Sequence, residues 1–264
     1  MLIPHSLYQP GETLVHRLHP LTKLVYSLAA AAIIFGGPGM WLSAILPGLL
    51  AILMLWRAGL TGRAVIMVLR LLAPLTLVLF LVHGLFNPQN QTILIQLGPF
   101  FVGQEGLVFA ALIVVRLIAV LVASLSFVMT THPAHLVQAL EEAGLPRRLA
   151  YLLGSPLLIM PQLAGRVQAI QAAQQARGLE TQGNLLLRIR ALFPLVAPFI
   201  FSALVDVEER SLALEVRGFS AATPKTSLYE LPDTPAQHTA RWVMFLLAAF
   251  LLAAGFWWRA NGGH

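Results

Sequence analysis

Residues 107–130 read LVFAALIVVRLIAVLVASLSFVMT, an unbroken apolar run in which Arg116 is the only charged side chain. About 20 such residues in a helix are enough to cross the roughly 30 Å hydrocarbon core of a bilayer. A helix of a soluble protein would need a charged outer face, which this run lacks. The run therefore indicates a transmembrane helix.

The rest of the chain is also apolar. Of its 264 residues, 58% are hydrophobic and 11% are charged, whereas about 25% are charged in an ordinary soluble domain. We predict an all-α, polytopic membrane protein with about five spans, at residues 21–35, 41–56, 64–83, 107–130 and 242–258. The sequence before the first span is too long for the charged region of a signal peptide, so we expect that span to be retained.

Lysine and arginine are unevenly distributed over the connecting segments. They lie before the first span, between the second and third spans, and throughout residues 131–240, but not in the ordered loop or short hairpin expected at 84–106. Because positive loops stay inside the cell, we expect the N-terminus and residues 131–240 of a cell-membrane protein to be cytoplasmic. The predicted organisation is therefore four spans in 1–130, a cytoplasmic helical segment in 131–240, and a last span in 241–264.

Three helices are predicted in the cytoplasmic segment. The first occupies residues 133–144, with proline in its first turn and glycine at its end. The second covers 147–177, with an interruption near Pro156 and Pro161, and the third covers 185–217.

The second and third helices end alike, forty positions apart, as Gln175-Ala176-Arg177-Gly178 and Glu215-Val216-Arg217-Gly218. Glycine after the last turn and arginine within it close any helix favourably, so each ending alone can be a simple cap. A guanidinium at a helix tip can also grip a carboxylate with two hydrogen bonds. A matched pair of tips would suit two similar grooves, such as those of a dimeric ATPase.

Several motifs resemble one family, the transmembrane (T) component of energy-coupling-factor (ECF) transporters, also called the cobalt-transport permease family. They are Leu18-His19-Pro20-Leu21-Thr22-Lys23-Leu24, Arg116, Thr130-Thr131-His132-Pro133, Leu136-Val137-Gln138-Ala139-Leu140, Gly144-Leu145-Pro146, Ala176-Arg177-Gly178 and Val216-Arg217-Gly218. Three positions depart from the family pattern: His19 replaces Asp, Val216 replaces Ala, and no Arg-Phe precedes Pro156.

The resemblance implies a membrane scaffold whose cytoplasmic coupling helices transmit ATP hydrolysis. The two Arg-Gly tips would dock into grooves on two ABC-type ATPases, as a homodimer or heterodimer. A separate small membrane subunit would bind the vitamin or metal ion that is taken up. Arg116 is a possible contact to that substrate-binding subunit, or it pairs inside the helix bundle.

Enzymatic and metal functions find little support. The chain has no glycine-rich phosphate loop with Lys-Ser/Thr, so the ATPase would be another chain. There is no convergent catalytic set, no cysteine and no nucleic-acid-binding pattern, and we expect neither a cofactor nor a catalytic residue. The spaced pairs His16/His19 and His132/His135 are interpreted as caps and interfacial contacts, not as metal ligands.

The acidic residues and the overall function leave alternatives open. Asp206, Glu208 and Glu209 are interpreted as a solvated helix face pairing locally with Arg210, and Glu141-Glu142 as a similar face near Arg147. The alternative to a coupling subunit is a self-sufficient permease or channel.

Overall fold

The computed structural model of the protein describes residues 7–39, 41–87, 92–97, 100–179, 185–219, 221 and 231–261. Within these residues the chain is helical apart from one hairpin, which confirms the all-α class. The elements are α1 Leu14–Arg17, α2 Pro20–Gly36, α3 Leu42–Arg57, α4 Thr61–Phe86, β1 Ile93–Leu97, β2 Phe100–Gly103, α5 Gln104–Thr130, α6 Pro133–Glu142, α7 Arg147–Ala176, α8 Leu185–Val216 and α9 Pro235–Ala260.

The chain divides into two compact units. The larger unit comprises Met1–Gly144 and Leu231–His264, and the smaller unit comprises Leu145–Glu230. Strands β1 and β2 pair antiparallel in the larger unit, so the short hairpin predicted within 84–106 is present.

Helix lengths separate the spans into two groups. Helices α4, α5 and α9 have 26 or 27 residues and are apolar enough to cross a membrane. Helices α2 and α3 are also apolar but have only 17 and 16 residues. The part of α8 at Ala191–Val216 meets the same length and composition criterion as the long spans, although its charges place it in the predicted cytoplasmic segment. The assignment of membrane sides stays a prediction.

Small residues allow the helices of the larger unit to pack closely. Helix α5 packs against α2, α3 and α4. A Cβ atom added to Gly48 of α3 would lie 3.1 Å from the Cβ of Ala119 in α5. The contact between α2 and α9 is closer, because a Cβ added to Gly255 would lie 1.9 Å from the carbonyl oxygen of Gly36. Glycine is therefore required where these backbones meet.

Helices α2 and α9 run parallel. Near their starts, the backbone amide of His19 donates to Oε1 of Gln237 at 2.8 Å. Near their ends, Arg259 donates to the carbonyl oxygen of Phe35 at 2.8 Å. The end of α5 lies beside the start of α2, because Lys23 Nζ donates to the carbonyl oxygen of Thr130 at 2.9 Å. The starts of α2 and α9 and the end of α5 therefore share one end of the larger unit.

In the smaller unit, α7 and α8 form an antiparallel pair. Tyr151 near the start of α7 stacks edge-on against Phe219 after the end of α8, with ring centroids 5.2 Å apart. Further along, Arg166 of α7 forms a salt bridge of 2.5 Å with Asp206 of α8. The residue numbers rise along one helix as they fall along the other, which fixes the antiparallel direction.

Two sequence interpretations are wrong in the smaller unit. Helix α7 is continuous through Pro156 and Pro161, where an interruption is expected. A proline removes its own amide bond and bends a helix, but the turns on either side keep their bonds. Asp206 pairs across the helix pair with Arg166, not locally with Arg210, which instead bonds Gln162. Local spacing does not reveal the register between two helices.

Candidate functional site

The two Arg-Gly helix ends have the same backbone structure. The amide of Gly178 bonds the carbonyl of Gln175 at 2.9 Å, and the amide of Leu179 bonds that of Gln174 at 3.0 Å. This is the Schellman arrangement, in which a residue with positive φ reverses the chain after the last turn. Gly178 supplies that conformation with φ +89°.

The end of α8 repeats the arrangement forty positions later. The amide of Gly218 bonds the carbonyl of Glu215 at 2.9 Å, and the amide of Phe219 bonds that of Leu214 at 2.9 Å. The φ angle of Gly218 is +66°. Arg177 and Arg217 therefore occupy the same position, the last residue before the left-handed glycine.

The cap alone does not make a functional tip, because α3 ends in the same way. There, Gly59 has φ +71° and the amide of Leu60 bonds the carbonyl of Leu55 at 2.9 Å. In α3 the C-cap residue is the buried Ala58, and Arg57 lies one position earlier. What α7 and α8 share is a Schellman cap with an exposed arginine at the C-cap position.

Both arginine side chains are available for a partner. Arg177 and Arg217 are exposed, and neither guanidinium has a hydrogen-bond or ion-pair partner among the described residues. The surroundings differ: Arg217 follows Glu215 and the 89%-exposed Val216, whereas Arg177 follows Gln175 and the exposed Ala176. The Arg217 tip is bulkier and less positive than the Arg177 tip.

The antiparallel pairing places the two tips at opposite ends of the helix pair. Arg217 lies close to Phe219, which contacts Tyr151 at the start of α7. Arg177 lies at the other end of α7. At a rise of about 1.5 Å per residue, the tips are separated by roughly 35 Å along the helix axis. The tips are too far apart for one groove to hold both.

Arg116 lies in α5, in the middle of a span. Its Nε atom is buried and has no hydrogen-bond partner among the described residues. Burying an ionisable side chain with an unsatisfied donor inside a span costs free energy. The structure therefore does not support the simpler interpretation that Arg116 Nε is paired inside the bundle.

The motif around His19 organises the end of the larger unit where α2 and α9 begin. His19 Nδ1 accepts a hydrogen bond from the amide of Leu21 at 3.3 Å and so caps α2, which is the role that an Asp can play at this position. His132 caps α6 in the same way, accepting from the amide of Ala134 at 3.2 Å. These two histidines therefore act as helix caps.

Residues distant in sequence complete the surroundings of His19, and they were not among the predicted site residues. Arg241 Nη1 lies 3.2 Å from His19 Nδ1, and the same guanidinium forms a salt bridge with Asp233. Burial lowers the pKa of His19 below its ordinary value, while nearby Asp233 opposes that shift. The hydrogen bond from Arg241 lowers the pKa of the Asp233 carboxyl. More than 200 positions separate His19 from these partners, so no local signal reveals them.

These features define a class: a polytopic helical membrane protein with a pair of arginine-tipped helices. A sequence model of the family described as Cobalt transport protein matches residues 11–228. The chain is also 30% identical over 263 residues to the "Energy-coupling factor transporter transmembrane protein EcfT" of Brevibacillus brevis, covering 96% of each chain. Proteins of the same name from Bacillus subtilis and Lacticaseibacillus paracasei are 29% and 28% identical, with 92% and 93% of this chain covered.

The chain therefore belongs to the family of cobalt transport proteins and ECF transmembrane components. The match extends over both arginine tips, Arg116 and the His19 motif, which all lie within residues 11–228. The resemblance found from the sequence motifs is confirmed.

Proposed function

We propose that this protein is the coupling subunit of an ECF-type importer and is not itself an enzyme. Its two arginine tips dock into grooves on two ABC-type ATPase subunits, and the helices that carry them transmit ATP hydrolysis to a separate membrane subunit that binds a vitamin or metal ion. The names of the relatives support the transporter role.

The observation that carries the proposal is the repeated tip. Two helices present an exposed arginine at the same position of the same cap, at opposite ends of an antiparallel pair. Because the cap already fixes the backbone, only the side chain must be ordered when the guanidinium forms a bidentate contact with a carboxylate. Because roughly 35 Å separates the tips along the helix axis, two sites on two ATPase subunits fit better than one.

The parallel direction of α2 and α9 supports a cytoplasmic location for the tips. Two parallel spans require an odd number of crossings between them, and α3, α4 and α5 supply three. If α8 crossed the membrane alone, the number would be even and α9 would run opposite to α2. We therefore infer that α8 does not cross the membrane alone, and the positive charges of residues 131–240 favour the cytoplasmic side for it.

Arg116 is proposed as a contact to the substrate-binding subunit. Its buried, unpaired Nε needs an acceptor that the described part of this chain does not supply. A carbonyl or carboxylate of a neighbouring membrane subunit could accept a hydrogen bond from Arg116 Nε. Inside the bilayer, water does not compete for such a bond.

The experiment is ATP-dependent uptake in vesicles containing the whole transporter with the double variant Arg177→Ala/Arg217→Ala. Loss of an anchoring arginine at an interface typically costs about 2 kcal/mol, so we expect each site to lose about 30-fold in ATPase affinity. The matched control is Arg57→Ala, an exposed arginine in the last turn of α3, which has the same cap.

Uptake and co-purification of ATPases should both fail in the double variant and persist in the control. Undiminished co-purification with coupled ATPase activity would refute the docking role. The alternative, a self-sufficient permease or channel, requires uptake by this chain alone in vesicles that lack ATPases.

A further inference from the structure

A cavity of about 590 Å³ lies in the larger unit, where α2 and α9 begin and α6 ends. Its lining combines polar and apolar residues. The polar residues are His19, Glu142, Asp233, His238 and Arg241, and the apolar ones are Leu21, Val25, Ala139, Ala143, Trp242 and Phe245. This combination resembles neither a packed core nor a purely aqueous cleft.

The positive charge in the lining is already neutralised. Arg241 donates to both carboxylate oxygens of Asp233, at 3.2 and 2.5 Å, and its side chain is only 13% exposed. Glu142 is exposed and accepts a hydrogen bond from the neutral amide of Gln138 at 3.0 Å. With histidines counted as neutral, the described lining carries one net negative charge, on Glu142, and favours a ligand that presents a cationic group to it.

The apolar residues of the lining include Trp242 and Phe245, at the predicted start of the last span. The apolar run of the last span begins at Trp242, directly after Arg241, and tryptophan is enriched at this depth of the bilayer. Trp242 and Phe245 are 57% and 59% exposed, so the cavity opens to the surroundings of the span. Their rings lie 6.3 Å apart and nearly perpendicular, and an indole face can attract a cation.

We propose that this cavity is a binding site for a phospholipid with a primary ammonium headgroup, of the phosphatidylethanolamine type. The ammonium donates to the carboxylate of Glu142 and lies against the indole of Trp242, while an acyl chain follows Val25 and Phe245. A choline headgroup has no N–H to donate, and the negative headgroup of phosphatidylglycerol is repelled by Glu142. The bound lipid contacts α6 and the first and last spans. Its binding does not depend on ATPase docking.

The test uses the full-length chain in mixed micelles with equal amounts of phosphatidylethanolamine, phosphatidylcholine and phosphatidylglycerol of identical acyl chains. The lipid retained after delipidation is identified by native mass spectrometry. We expect phosphatidylethanolamine to be enriched about fivefold over phosphatidylglycerol, the factor that a partly exposed ion pair supplies. Glu142→Gln should abolish the preference, and the neighbouring Glu141→Gln, which is outside the lining, should keep it.

Three results would overturn the proposal. One is equal retention of the three lipids by the wild-type chain. Another is a preference for phosphatidylethanolamine that survives both Glu142→Gln and Trp242→Leu, which would locate the lipid elsewhere. The third is carbodiimide cross-linking of Glu142 to a co-purified protein without lipid enrichment, which would assign the cavity to a lysine of a protein partner. The unfolding temperature of each variant is measured as well. A variant that unfolds at the wild-type temperature is folded, so its loss of lipid preference cannot be due to misfolding.

Discussion

The backbone of the tips should matter as much as their arginines, and Gly178→Ala with Gly218→Ala tests this. Both glycines have positive φ, at +89° and +66°, and an added Cβ meets no atom closer than 3.7 Å at either position. The effect is therefore one of backbone strain and not of crowding. A non-glycine residue in this conformation costs about 1–2 kcal/mol, which lowers the population of the ordered cap about 5- to 30-fold.

The matched control is Gly165→Ala in the interior of α7. A Cβ at Gly165 meets no atom within 4 Å, and alanine in a helix interior is favoured over glycine by about 0.5–1 kcal/mol. Amide hydrogen exchange at Leu179 and Phe219, whose amides close the two caps, should accelerate in the tip variants only. ATPase co-purification should fall with it. If the caps loosen and ATPase binding is unchanged, the backbone of the tips does not position the arginines for docking.

Two further perturbations address the larger unit. Gly255→Ala would place a Cβ 1.9 Å from the carbonyl oxygen of Gly36. We therefore expect this variant to lose about 1–3 kcal/mol of folding free energy and to unfold at a lower temperature. The control is Gly62→Ala, where the added Cβ has open space around it and should not lower the unfolding temperature. The second perturbation is a change of pH. Burial lowers the pKa of His19. The stability that neutral His19 contributes is therefore complete above the pKa of the unfolded state and is lost as the pH falls through the pKa of the folded state. His19→Asp, which keeps an acceptor at the cap, should lose less stability than the wild type when melting curves at about pH 7.5 and about pH 5 are compared; an identical loss would contradict the assignment to His19.

The features that depend on local sequence could be predicted. The apolar runs predict the spans, and glycine after an arginine in the last turn predicts the ends of α7 and α8. His19 and His132 belong to the histidine pairs interpreted as caps or interfacial contacts, and each caps the helix that follows it. All of these signals lie within one or two turns of the residues that they describe.

The features that depend on pairing between distant segments could not be predicted. The salt bridge between Arg166 and Asp206 requires the register of α7 against α8, which no single helix encodes. The contact between His19 and Arg241 requires knowing that α2 and α9 are parallel neighbours. Likewise, a rule that treats proline as a helix breaker does not predict that α7 is continuous through Pro156.

Docking of both tips into ATPases can be tested by cross-linking, because the chain contains no cysteine. Single cysteines introduced as Ala176→Cys, Val216→Cys and Arg57→Cys occupy the same position before the cap in α7, α8 and α3. Each introduced cysteine is coupled to a short thiol-to-amine cross-linker in the assembled transporter. The cross-linked products are identified by mass spectrometry. We expect ATPase adducts from positions 176 and 216 and none from position 57. Absence of adducts from both tips, or equal yields from all three positions, would contradict docking of the tips.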